Sequence, residues 1–215
     1  MIDEPRETPR TGGDAGYLRI ATEEAFAPPE LIAQWRDMLA RGTIDDPGFL
    51  SLWGFYLENR GERARSVVER LQDLGERRLA DMDATGIDRQ IVSLTSPGTQ
   101  VFDRDRAVAM ATLANDQLAE ACRRHPERFT GLTAIAPQDP EAAASEIERG
   151  AHDLGFKGVI INSHNHYTYV QTYSDIDTVR RAFAEFQEAS SGYGYQCSPS
   201  QLGWSVPIHV ADTDG

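Results

Sequence analysis

The stretch Gln90-Ile91-Val92-Ser93-Leu94-Thr95, closed by Ser96-Pro97-Gly98, decides the architecture. Its β-formers run without the clean polar alternation of a half-solvated strand, and the turn residues behind it end the run. Upstream, Val67, Leu71 and Leu74, then Leu79 and Met82, recur at helical spacing as far as Thr85-Gly86. Downstream, Met110, Ala114, Leu118 and Ala121 form one stripe of a helix over 107–122, and a strand follows from Phe129 to Ala136. Asp139-Pro140 caps a helix bearing Ile147, Ala151 and Leu154 and ending at Gly155, and Phe156 to Asn162 is a further apolar strand. Toward the amino end, Tyr17 to Thr22 is a short strand closed by Glu23-Glu24. Pro28-Pro29-Glu30 then opens a helix with Leu31, Ile32, Trp35, Met38 and Leu39 on one face, stopped by Gly42. Leu50 to Tyr56 is aromatic and without a clear period.

Short apolar strands alternating with amphipathic helices mean an α/β fold with a parallel sheet covered on both faces. The count limits its size. Four strands occupy the first 162 of 215 residues, whereas an eight-stranded barrel typically takes about 250. The expectation is therefore a (β/α)8 TIM-barrel type truncated to its first four or five βα units, or an open sheet of that many strands. Residues 1–16 are polar and rich in Gly and Pro, and read as a disordered tail. Residues 17–170 form the barrel portion. Residues 171–215 change character: Ser190 to Ser200 has no period, and a frameshift or early stop would produce such a divergent tail.

Acidic residues outnumber basic ones 34 to 21, for a formal charge of −13. That sign argues against a nucleic-acid partner, since phosphate contacts need Lys and Arg. No apolar run reaches the ~18 residues of a membrane span. The amino terminus lacks the basic start and apolar segment of a secretory signal, and Cys122 and Cys197 have no neighbour at metal-site spacing, so the expected compartment is the cytoplasm.

Several residues offer chemistry. Glu23 and Glu24 lie where the first strand ends, the end at which parallel βα folds gather substrates and cations, and carboxylates bind divalent ions through oxygen. The same pair also suits an exposed acidic helix start. His164 and His166, in Ser163-His164-Asn165-His166, stand two apart just past the last strand, spaced to share a metal ion or simply solvated in a loop. Arg63, in Gly61-Glu62-Arg63-Ala64-Arg65, reads as a surface charge on the approach to a helix. Asp81 and Asp83 read as a solvent-facing acidic pair, and His125 and His152 as structural. No phosphate-cradling glycine loop and no nucleophile elbow occurs.

Five ordered blocks carry a resemblance. They are Ile20-Ala21-Thr22-Glu23-Glu24-Ala25-Phe26, Leu52-Trp53-Gly54-Phe55-Tyr56, Ala80 through Asp88, Leu94-Thr95-Ser96-Pro97-Gly98, and Gly155 through His164. Over about residues 17–166 the chain resembles the amidohydrolase-related metal-dependent decarboxylases, those of 5-carboxyvanillate above all and of γ-resorcylate more distantly. The resemblance implies a (β/α)8 barrel holding one divalent cation, Mn²⁺ or Zn²⁺, and a small aromatic carboxylic acid as substrate. It implies decarboxylation by protonation of the ring carbon followed by loss of CO2. By motif, Glu23 matches a metal ligand, Arg63 a substrate-carboxylate-binding arginine, and Thr95 and His164 substrate-side positions. Ala25 stands where many relatives carry a second ligand His. His209 matches the family's later ligand His poorly, and the family's ligating, proton-transferring Asp has no match, so the short chain is expected to be inactive or impaired. A metal-dependent lactone or amide hydrolase and a non-catalytic remnant are the alternatives, and a homo-oligomer is compatible with each.

Overall fold

The computed structural model describes residues 17–162. The expected 1–16 and 171–215 segments lie outside them, as do His164, His166, Cys197 and His209. The described strands are β1 (Ile20–Phe26), β2 (Arg89–Leu94), β3 (Phe129–Gly131), β4 (Thr133–Ala134) and β5 (Val159–Ile160), with helices between all but β3 and β4. Pairing is parallel throughout, in the orders β1-β2-β3 and β4-β5. β3 and β4 are successive parts of one extended segment. Leu132 N–H donates to Val92 O at 3.0 Å, and Thr133 N–H then donates to Gly158 O at 2.8 Å. The segment thus pairs first with β2 and then with β5, so the carboxyl ends of all strands gather at one side.

The helices are α1 (Pro29–Arg41), α2 (Glu62–Gln72), α3 (Glu76–Thr85), α4 (Arg104–Arg124) and α5 (Pro140–His152). Between α1 and α2 runs the aromatic stretch, which is helical. Two short α-helical turns, Pro47–Phe49 and Phe55–Glu58, flank a wider π turn, Leu50–Gly54. That widening is why no 3.6-residue period is legible there. Trp53 from this turn packs on Trp35 of α1 with ring centroids 4.4 Å apart and planes tilted by 49°, and Phe49 meets Trp35 edge-on at 5.5 Å.

Local chemistry sets the boundaries. Gly42 and Gly86 end α1 and α3 in the left-handed region, at φ 62° and 72°. Asp103 accepts from Arg106 N–H at 3.0 Å, starting α4 three residues earlier than its apolar stripe predicts. The single helical pattern expected from Val67 to Met82 is two helices, because Asp73 Oδ1 accepts from both Gly75 N–H and Arg78 N–H and turns the chain. β1 starts and ends later than expected. Thr95 N–H donates to Phe26 O at 2.8 Å, and the buried Phe26 side chain draws the ladder past Glu24.

Gln90, Val92 and Leu94 of β2 are buried under the helices, whereas Ile91, Ser93 and Thr95 on the opposite, inner face are half-buried. Among the described residues the helices therefore cover one face of the sheet, not both. Where β2 no longer reaches the strand beside it, Asn115 of α4 substitutes for a ladder partner. Its Nδ2 donates to Ala134 O and its Oδ1 accepts from Ala134 N–H, both at 2.8 Å. α5 packs close below: a Cβ on Gly150 would collide with the Thr133 side chain.

Replacing Asn115 by leucine leaves two buried backbone groups without partners, and is expected to lower unfolding stability by about 2–4 kcal/mol in urea titration; a loss under about 0.5 kcal/mol would contradict this role. A second outcome concerns pH. Asp139 caps α5 through Ala142 N–H and bonds Arg104 Nε at 2.8 Å, and the arginine first, then the cap, holds its carboxyl below the usual range. A depressed folded value means the contribution is present above the unfolded value of about 4 and is lost as pH falls through the folded one. The stability difference between wild type and Asp139→Asn should stay level from neutral pH to about 5 and shrink below about 4. A difference that widens on acidification would refute it.

Candidate active site

The β1–β2 ladder breaks step inside the first of the five blocks. Ala21 pairs with Gln90 and Glu24 with Val92, so Thr22 and Glu23 together oppose the single residue Ile91. This is a bulge, the device that re-aims a side chain without ending a strand. It leaves Glu24 on the helix-facing side with Gln90 and Val92 and puts exposed Glu23 on the inner face, where Ala25, paired with Ser93, follows it. Glu23 therefore sits mid-strand rather than at the strand's end. The two adjacent carboxylates, alike in sequence, face different environments.

Behind the bulge lies a buried cation. Arg78 of α3, 8% exposed, donates to Ala25 O at 2.8 Å, Asp73 O at 2.7 Å, Arg70 O at 3.3 Å and Gln90 Oε1 at 3.2 Å. Burial pulls its pKa down, while Glu24, Asp73 and Asp81 pull it back up. Ala27 N–H donates to Leu71 O at 2.9 Å, docking the end of α2 on the same edge. Arg78 and α2 thus hold the strand segment that follows Glu23. Periodicity contained the signal: Arg78 lies four residues from both Leu74 and Met82, on the apolar stripe, where a charge needs a reason. The Asp81–Asp83 pair faces solvent as expected, and there Asp81 pairs with Arg70 and Asp83 with Arg128 at 2.7 Å.

Thr95 directly follows β2, in step with Ser93 and half-buried. It stands about four residues beyond the level of Glu23, roughly 13 Å along the strands, so the two share a face without touching. Arg63 is exposed in the first turn of α2, with no hydrogen bond or ion pair among the described residues. It lies eight residues, about 12 Å of helix, before the Leu71 docking point.

The loop after Thr95 is fixed from several sides. Trp53 Nε1 donates to Ser96 O at 3.1 Å, Thr99 Oγ1 to Ile135 O at 2.7 Å, and Gln138 Nε2 to Thr99 O and Phe102 O. Gln100, 5% exposed, reaches the end of β5: its Nε2 donates to Asn162 O at 3.2 Å and its Oε1 accepts from Asn162 N–H at 3.0 Å. Gln100 escaped the sequence reading, because a loop has no period to mark a buried polar residue.

Other chemistry recedes. Cys122 is a free, half-buried thiol whose pKa burial pushes up to about 11, far too high for a nucleophile at neutral pH. His125 caps α4 and packs edge-on against Phe129, and His152 ends α5 exposed. Among the described residues no three His, Cys, Asp or Glu side chains stand close enough to hold a metal ion. Glu23 offers one carboxylate where a catalytic cation site usually takes three protein ligands, so the described residues do not by themselves fit a resident cation.

The chain resembles known proteins along most of its length. The Amidohydrolase family model matches residues 30–190. The γ-resorcylate decarboxylase of Rhizobium radiobacter is 35% identical over 173 residues, which are 79% of this chain and 47% of that protein. The crystal structure of 5-carboxyvanillate decarboxylase from Novosphingobium aromaticivorans, in complex with manganese and 4-hydroxy-3-methoxy-5-nitrobenzoic acid, superposes with a TM-score of 0.80 at 53% identity, covering 86% of this chain and 52% of that one. The 5-carboxyvanillate decarboxylase of Sphingomonas paucimobilis superposes at 0.67 with 35% identity, over 79% and 49% of the two chains. This chain thus spans about half the length of the proteins it matches. With a parallel α/β sheet of this order and a family match over most of its residues, the chain belongs to the amidohydrolase family.

Proposed function

We propose that this chain supplies the first half of a metal-dependent decarboxylase acting on an aromatic acid of the 5-carboxyvanillate type. The observation that carries the proposal is the bulge that turns Glu23 onto the inner face, beside small Ala25 and below Thr95. In this reading Glu23 is one ligand of a Mn²⁺ or Zn²⁺ ion. Arg63 binds a substrate carboxylate through its planar fork, and Thr95 and His164 line the substrate. The reaction places a proton on the ring carbon that bears the carboxylate; the bond to that carboxylate then breaks, CO2 leaves, and its electron pair restores the aromatic ring. The named relatives are decarboxylases, which supports carbon–carbon cleavage over hydrolysis.

We hold the 215 residues alone to be impaired, because the described residues gather no set of three ligands for a cation. Exposed Leu50, Leu52 and Phe55 on the helical excursion support self-association as part of the same reading.

The test is CO2 release from 5-carboxyvanillate by the purified protein with excess Mn²⁺. Slow release that disappears on metal chelation and in Glu23→Gln is the expected result. Release that survives Glu23→Gln removes that residue's role, and no release above background at any metal concentration removes the enzymatic reading of this chain.

A further inference from the structure

Trp53 is the one buried residue of the π turn Leu50–Gly54, between exposed Leu52 and Phe55. Single π turns recur at functional sites. The buried ring makes two kinds of contact. Its face packs on Trp35, and its Nε1 donates to Ser96 O at 3.1 Å, across 43 residues of chain. Packing needs only an aromatic ring, whereas the hydrogen bond needs the N–H that an indole carries. Its acceptor is the backbone of the residue directly after Thr95, in a loop that otherwise belongs to β2 and α4.

On its other side Trp53 leads to Arg63. Tyr56, in the helical turn Phe55–Glu58, has its ring 6.2 Å from that of Trp53, and this turn packs against α2. Asn59 Oδ1 accepts from Gly61 N–H at 2.7 Å and tightens the short link from Glu58 to Glu62. The far end of α2 is held to the sheet by the bond from Ala27 N–H to Leu71 O. Its near end, with Arg63 in the first turn, is held by the helical turn that Trp53 anchors.

We infer that Trp53 is a positioning residue for the aromatic acid: its indole N–H ties the segment that carries Arg63 to the backbone beside Thr95, and so sets the span between the two groups that the acid must bridge. This role rests on the decarboxylase reading above, to which it adds a residue that acts through Arg63 without touching the acid.

The test is a double-mutant cycle on the full chain, read as the affinity for 5-carboxyvanillate in calorimetric titration with Zn²⁺ present throughout. Trp53→Phe keeps an aromatic ring against Trp35 and removes the N–H. It should weaken binding by roughly fivefold, and Arg63→Gln by roughly tenfold or more. Because Trp53 acts through Arg63, the two effects do not add: in the Arg63→Gln chain, Trp53→Phe should change the affinity by less than about twofold. The urea midpoint, which reports packing alone, should fall by the same amount in both backgrounds. If Arg63→Gln weakens binding and Trp53→Phe costs the same factor with or without Arg63, Trp53 is merely structural and the decarboxylase reading stands. If Arg63→Gln binds as the wild type does, the role of Arg63 fails and that of Trp53 with it; if the wild type does not bind the acid, the decarboxylase reading fails as well. Hydrogen exchange of the indole protons in the wild type decides even where a variant does not fold. An acid held by both Arg63 and Thr95 keeps the two segments together, so it should slow exchange at Trp53 by a larger factor than at Trp35. Equal slowing at both, or none at Trp53 while the acid is bound, would overturn the role.

Discussion

One extra residue in the ladder between β1 and β2 governs where the Glu23 carboxylate points. Strand side chains alternate with a period of two, so without the bulge at Thr22-Glu23 the register of Ala21 on Gln90 would carry Glu23 to the helix-facing side with Val92. That face already has its charge partners. Glu24, Asp73 and Asp81 surround the buried guanidinium of Arg78, which is the cation that side accommodates. The bulge puts the two adjacent carboxylates on opposite faces of the sheet, and Arg78 braces the strand just beyond it through Ala25 O.

The same logic recurs at the carboxyl ends of the other strands. Backbone groups that lose their ladder partners are taken up by side-chain amides: Asn115 on Ala134, and Gln100 on Asn162. Each is buried and bonds both the N–H and the C=O of one residue, so each satisfies groups that would otherwise be costly to bury. The loop from Ser96 to Phe102 is further tied by Trp53, Thr99 and Gln138. The loop at the carboxyl ends of the strands is therefore held by side chains of several separate elements.

Much of this frame was legible in the sequence. The apolar run at β2, the proline-opened α1, and the Asp139-Pro140 cap each follow from local chemistry and fall where expected. The misses share a cause. A bulge is a property of two strands together, so the β1 segment alone cannot announce it, and its strand was placed too early. The π turn at Leu50–Gly54 hid a helix by changing its period. Arg78 and Asn115 sit on buried helical stripes, where polarity was a detectable anomaly, whereas Gln100 lies in a loop, where polarity is ordinary. Arg63 and Glu23 drew attention through the five-block resemblance rather than through pattern, since an exposed charge on a surface helix and an acidic pair after a strand are each unremarkable alone.

The claim that the bulge presents Glu23 to a cation is tested most directly by crystals of the protein grown with Mn²⁺ and measured for anomalous scattering. The account predicts a manganese peak at the Glu23 carboxylate on the inner face of the sheet. A peak held by Glu24 on the helix side, or a fully loaded protein with no manganese near Glu23, would contradict it.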